Sequence, residues 1–116
     1  MAITHAESGR PVDVAPLGTR LASHRTQALF KSTDLEVIRL VLPCGKSLPP
    51  HQVAGQITIQ CLEGRIRVNA DGAPSEIHAG ELLFLLGGVQ HDLVALEDAT
   101  ALVTIALKVH SRQAET

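Results

Sequence analysis

The 116-residue chain has no tryptophan and no tyrosine, and its aromatic content is two residues, Phe30 and Phe84. Stacking platforms for sugars, nucleobases or quaternary amines need several ring faces. Two phenylalanines cannot supply them, which excludes an aromatic cage and an aromatic nucleic-acid surface. Cysteine is equally scarce, with Cys44 in a Pro-Cys-Gly turn and Cys61 in an apolar stretch. Neither a disulfide scaffold nor a zinc pattern can be drawn from this pair. An excess of one charge is also missing: Lys plus Arg is 10 and Asp plus Glu is 12, a formal net of -2. A near-neutral chain offers no electrostatic footprint for nucleic acid or an anionic membrane. Long apolar runs are absent. Leu82 to Val89, broken by Gly87 and Gly88, is far short of the roughly 20 residues that cross a bilayer as a helix. No secretion signal is visible at the N-terminus, so the expectation is a cytoplasmic protein with reduced thiols.

What is present is aliphatic. Hydrophobic residues make up 45% of the chain, enough to offset ordering entropy in a single domain of this length. Residues 1–20 contain Gly9, Pro11, Pro16 and Gly18 and keep no period. They read as an arm, with room for one short strand, that is partly flexible or in contact with a partner subunit. Residues 21–110 read as the domain, and the polar residues 111–116 as a frayed tail.

Within the domain the strand signals are frequent and short. Ile57, Ile59 and Cys61 alternate with Gln56, Thr58 and Gln60, a period of two that buries one face. Residues 27–31, 35–42, 65–69, 76–80, 91–96 and 101–109 carry similar or continuous aliphatic patterns. Glu63-Gly64 and Asp71-Gly72-Ala73-Pro74 turn the chain between them. Residues 43–50, with Pro43, Pro49, Pro50 and Gly45, read as a break in regular structure. Leu82 to Leu86 reads as bulk core. In the last run Val103, Thr104, Ile105 and Val109 are β-branched and no cap precedes a helical stripe, which favours a strand. Such spacing of short strands and glycine-led turns predicts an all-β sandwich or barrel.

Two segments carry the chemistry. The first contains Gly45, His51 and, after Cys61-Leu62-Glu63, Gly64; the second contains Gly80, Gly88 and His91. In glycine and histidine spacing, and in the fifteen residues between Gly64 and Gly80, the chain resembles the cupin superfamily over about residues 25–109. That resemblance implies a double-stranded β-helix, the jelly-roll barrel. In metal-binding cupins three histidines and one glutamate hold a divalent ion. Here the second histidine position is Val53 and the glutamate position is Ile57, while a proline position holds Leu86 and an asparagine position Ala95. Only His51 and His91 carry over as ligands. Gln56 neighbours the glutamate position and is a weak third candidate, reachable through a bulge.

Three functions follow as expectations. The first is a binding protein for a small, mostly apolar or weakly acidic organic ligand. Its pocket would be lined by Val53, Ile57, Ile59, Cys61 and Phe84, with His51 and His91 as polar anchors. The second is a metal-dependent enzyme of the dioxygenase or isomerase class, holding one Zn, Fe, Mn or Ni ion on His51 and His91. The third is a catalytically inactive protein that acts through its surface. A homodimer is expected in each case, since small cupins cover sheet edges that way, and neither nucleic acid nor membrane is an expected partner. The remaining histidines, His5, His24, His78 and His110, read as solvated. Glu81 reads as a rim residue, and Asp92 points away from its neighbour His91.

Overall fold

The computed structural model describes residues 6–107. Nine strands follow a short 3-10 turn at Gly18–Ser23: β1 (Gln27–Lys31), β2 (Leu35–Leu42), β3 (Ser47–His51), β4 (Ile57–Glu63), β5 (Arg65–Ala70), β6 (Ala73–His78), β7 (Leu82–Leu85), β8 (His91–Ala95) and β9 (Ala99–Ala106). They form two antiparallel sheets, ordered β1-β2-β9-β4-β7 and β3-β8-β5-β6. This jelly-roll arrangement is all-β, as the spacing of turn signals predicts. Among the described residues no strand pairing joins one sheet to the other. The container is therefore a sandwich with open seams rather than a closed barrel.

The core lies between the sheets and is built by strict alternation. Leu40 and Leu42 from β2, Ile57, Ile59 and Cys61 from β4, and Ala99, Ala101 and Val103 from β9 face Ile66 and Val68 of β5 and Leu93 and Ala95 of β8. Across the β4–β9 ladder the inward pairs are Ile57 with Ile105, Ile59 with Val103 and Cys61 with Ala101. Side-chain bulk falls along that ladder from isoleucine to alanine. Cys61 and Ala101 are fully buried at one end of it, and a cavity is lined by Ile57, Ile59, Val103 and Ile105 at the other.

Three sequence expectations are corrected. Residues 47–51 are not a break but strand β3, prolines included. The strand lies at the edge of its sheet and pairs only with β8, and its register shifts between Leu48 and His51. An edge position with a bulge is where a sheet tolerates missing N–H donors. The run Leu82–Leu86 is not bulk core. Leu85 is buried, but Leu82, Phe84 and Leu86 are 60%, 54% and 61% exposed. A run apolar at every position cannot reveal by period which half faces out, and here the outward half has no cover.

The third correction concerns residues 6–24. They form no strand; the Gly18–Ser23 turn docks on the chain's own sheet, where Leu17 and Leu21 are buried with Val41. The joint is polar. A register shift between Cys61 and Glu63 turns the Glu63 side chain to the outer face. Its Oε2 accepts the Leu17 N–H at 2.7 Å and the Thr100 hydroxyl at 2.8 Å, and its Oε1 accepts the Gly18 N–H at 3.0 Å. Burial pushes the Glu63 carboxyl up, but these three donors and the charge of Arg39 outweigh it and hold it below its ordinary value. Thr100 is thereby fully buried yet bonded. Gly64, next along, has φ +78, and a Cβ there would overlap the Asp98 carbonyl oxygen. Only glycine fits that turn.

Candidate functional site

His51 ends β3 and His91 begins β8, and the two residues are directly opposite each other across that ladder. Their rings lie 4.4 Å apart, centroid to centroid, with planes inclined by 54°. The two histidines singled out by spacing, forty positions apart, thus share one site. The burial of the two rings differs: His91 is 3% exposed, while His51 is open to solvent.

Each ring makes one bond to the backbone two residues earlier. His91 Nδ1 lies 3.1 Å from the Val89 carbonyl oxygen, and His51 Nδ1 lies 3.4 Å from that of Pro49. A carbonyl oxygen only accepts. The contact therefore favours the neutral tautomer with the proton on Nδ1 and the lone pair on Nε2, most strongly at His91. Among the described residues no carboxylate bonds either ring; Asp92 faces the other way and accepts from Asn69 Nδ2 at 2.7 Å.

The pair stands at one end of a cavity of about 280 Å³ between the sheets. Ile38 and Leu40 of β2, Ile57 and Ile59 of β4, and Val103 and Ile105 of β9 form one wall. Leu48 of β3 and Leu93 of β8 form the other, and Thr26 also lines the cavity. The Thr26 hydroxyl is already engaged with the Val41 backbone N–H at 2.9 Å. Among the described residues the two imidazoles are the only titratable groups in the lining. A larger depression of about 590 Å³ lies outside β5 and β6, lined by Arg67, Asn69, Pro74, Ser75 and Glu76. It is the more open and more polar of the two, and the apolar hollow between the sheets is the better match to a ligand site.

Of the residues expected to line the pocket, Ile57 and Ile59 do so. Val53 lies in the loop before β4 and packs against the core, outside the lining. Cys61 is fully buried at the alanine end of the β4–β9 ladder, away from the cavity; burial raises its thiol pKa, and its Sγ lies 3.3 Å from the Glu63 carbonyl oxygen. Phe84 is on the outside of the molecule, paired with Thr58 across the β4–β7 ladder. Gln56 is exposed and lines an outer groove with Thr58 and Phe84, so it does not approach the histidines. Alternation had placed it on that face, and no bulge reverses it. Thr26, Ile38, Leu40, Leu48, Leu93, Val103 and Ile105 are lining residues that sequence reasoning missed. The period of two in β2 and in β9 was the available signal for four of them.

A metal is a poor fit to this donor set. Among the described residues no group of three or more His, Cys, Asp or Glu is placed to hold an ion. Two imidazoles would leave the remaining positions to water in a wall of isoleucine, leucine and valine, which stabilises a hydrated cation badly. The other two described histidines, His24 and His78, play no part. His78 is exposed and bonds Glu81, with Nδ1 3.1 Å from Oε1. The His78 N–H and ring hold the Glu81 carboxyl below its ordinary value. His24 is half-buried, with Nδ1 2.9 Å from the Arg20 carbonyl oxygen. His5 and His110 lie outside the described residues.

Two facing antiparallel sheets around an apolar hollow, with chemistry at one rim, define a jelly-roll container. The chain has the cupin fold. A cupin superfamily protein from Desulfitobacterium hafniense superposes with a TM-score of 0.74 at 14% identity, over 93% of this chain and 100% of that one. An RmlC-like cupin from Desulfovibrio desulfuricans gives 0.68 at 23% identity, over 90% and 100%. A conserved protein of unknown function from Streptococcus pyogenes gives 0.73 at 18% identity, over 95% and 98%. No family model matches the sequence, and no curated protein matches it. Gly45, Gly64, Gly80 and Gly88, the glycines on which the resemblance rests, all have positive φ. The motif therefore marks four tight turns of the backbone.

Proposed function

We propose that this cupin-fold protein binds a small, mostly apolar or weakly acidic organic molecule in the hollow between its sheets, with His51 and His91 as polar anchors. The observation that carries the reading is the lining. Its side chains are aliphatic apart from an engaged threonine and two adjacent imidazoles at one end. Apolar walls with a few convergent polar groups characterise small-molecule sites. A cavity of roughly 150 Å³ holds benzene, so about 280 Å³ suits a substituted single ring or a branched chain of similar bulk. Thermal-shift screening tests this, since a ligand selective for the folded form raises the melting temperature. Single-ring phenols, short branched acids and aldehydes are the panel. A compound that stabilises the wild type should fail on Ile105→Phe, whose ring fills the hollow. Absence of any stabilising compound would end the proposal.

A second reading, a homodimer that acts through its surface, is favoured by a different observation. Edge strand β7 and the residue after it expose Leu82, Phe84 and Leu86 on one face. Light scattering should then give a dimer that Phe84→Lys with Leu86→Lys converts to monomer. A wild-type monomer at micromolar concentration removes that reading. The metal-enzyme alternative has no comparable support in the donor set, and elemental analysis after reconstitution decides it.

A further inference from the structure

The hydrogen bonds of the two histidines specify what kind of polar group the hollow accepts; this inference rests on the ligand-binding reading above. Both Nδ1 atoms face backbone carbonyl oxygens, at 3.1 Å for His91 and 3.4 Å for His51. Each carbonyl favours the neutral tautomer with its proton on Nδ1, the 3.1 Å contact of His91 more strongly than the long one of His51. In that tautomer what remains at each ring is an Nε2 lone pair, which accepts and cannot donate. Among the described residues the rest of the lining adds one hydroxyl, that of Thr26, which accepts the Val41 N–H at 2.9 Å and has the Val41 carbonyl oxygen 3.5 Å away. Strands β2, β3, β4, β8 and β9 otherwise contribute only aliphatic side chains. An apolar chamber whose histidine end offers acceptors discriminates by chemistry. A ketone, ether or ester entering it would face lone pairs with its own lone pairs and lose its hydrogen bonds to water. A molecule with an O–H or N–H at one end would keep one.

We propose that the site selects hydrogen-bond donors: its ligand is a compact apolar body ending in a hydroxyl of the phenol or enol class, and that hydroxyl donates to Nε2 of His91. His91 is assigned the bond because it is buried and its Nδ1 contact is the shorter. His51, solvent-exposed and 4.4 Å away, covers it from the rim. The assignment turns the departure from the metal-binding pattern into a specificity. With aliphatic side chains at Val53 and Ile57, the surviving lone pairs are left for a proton donor.

The test is calorimetric titration of the full chain with 4-propylphenol and with 4-propylanisole, which has the same body but no O–H. The phenol is expected to bind the wild type at least tenfold more tightly than the ether. In His91→Leu the two should bind alike. Nitrogen-15 NMR of the wild type supplies a readout that needs no variant: His91 Nε2 should be bare in the free protein and shift on adding the phenol but not the ether. Equal affinities in the wild type, or a proton on Nε2 in the free protein, would overturn the donor selection and leave the apolar pocket standing. Binding of neither compound would overturn both. Zinc alone taking up both Nε2 atoms stoichiometrically, with no phenol bound, would overturn the assignment in favour of a metal.

Discussion

Replacing Glu63 by glutamine removes the charge from the joint that fastens the N-terminal segment to the sheet. The carboxylate accepts three hydrogen bonds, from Leu17 N–H, Gly18 N–H and the Thr100 hydroxyl. Bonds to a charged acceptor contribute about 1.5–3 kcal/mol each and neutral ones about 0.5–1.5. In Glu63→Gln the better amide orientation keeps its oxygen at the Oε2 position. Two bonds then weaken by about 1 kcal/mol each, and the Gly18 N–H faces an NH2 and is left unpaired, for a total near 3 kcal/mol. At roughly 4 °C per kcal/mol for a domain of this size, melting should fall by about 12 °C. If residues 17–23 detach by themselves, melting falls less, and the loss appears as local opening. Hydrogen exchange at the Leu17 and Gly18 amides should then accelerate by roughly a hundredfold. Acidity gives a second axis. The folded-state carboxyl ionises below its ordinary range. Its contribution is therefore fully present above the unfolded-state value and is lost as pH falls through the folded-state value. The glutamine variant should lack that acid-sensitive component. A melting temperature within about 2 °C of wild type together with unchanged exchange at Leu17 would refute the reasoning.

Gly64→Ala should destabilise the fold by about 3 kcal/mol, because φ is +78 and the new methyl meets the Asp98 carbonyl. Gly72→Ala, with φ +84 but open space, should cost only about 1–2 kcal/mol; urea denaturation compares the two. Leu42→Ala, at a core position 1% exposed, should cost about 2–5 kcal/mol in the same assay. Treatment with EDTA should leave the melting curve unchanged, since no third ligand accompanies His51 and His91 among the described residues. A drop of several degrees would point to a resident ion.

Most of the sandwich was legible because its strands have one wet and one dry face. Gln56 to Leu62 announced both the strand and its inward residues, and β4 indeed buries Ile57, Ile59 and Cys61. The pairing of His51 with His91 was legible through glycine spacing, since those glycines bend the chain where side chains have little room. The errors share a cause. Strand β3 was hidden because proline rules describe interior strands, and position in the sheet is not local information. Phe84 was placed in the pocket because a run without polar residues has no readable parity. The docking of residues 17–23 depends on Glu63, far along the chain and turned by a bulge, which no window around residue 17 contains. Cys61 was assigned to the correct face but the wrong depth, because the fall in bulk toward Ala99 and Ala101 is set by the partner strand.

Pro49 and Pro50 sit where the β3–β8 register shifts, and neither has an N–H to offer along this edge. A ribbon from another molecule laid along this margin would meet carbon where it needs a proton. The lip bearing His51 therefore resists being extended by a foreign strand.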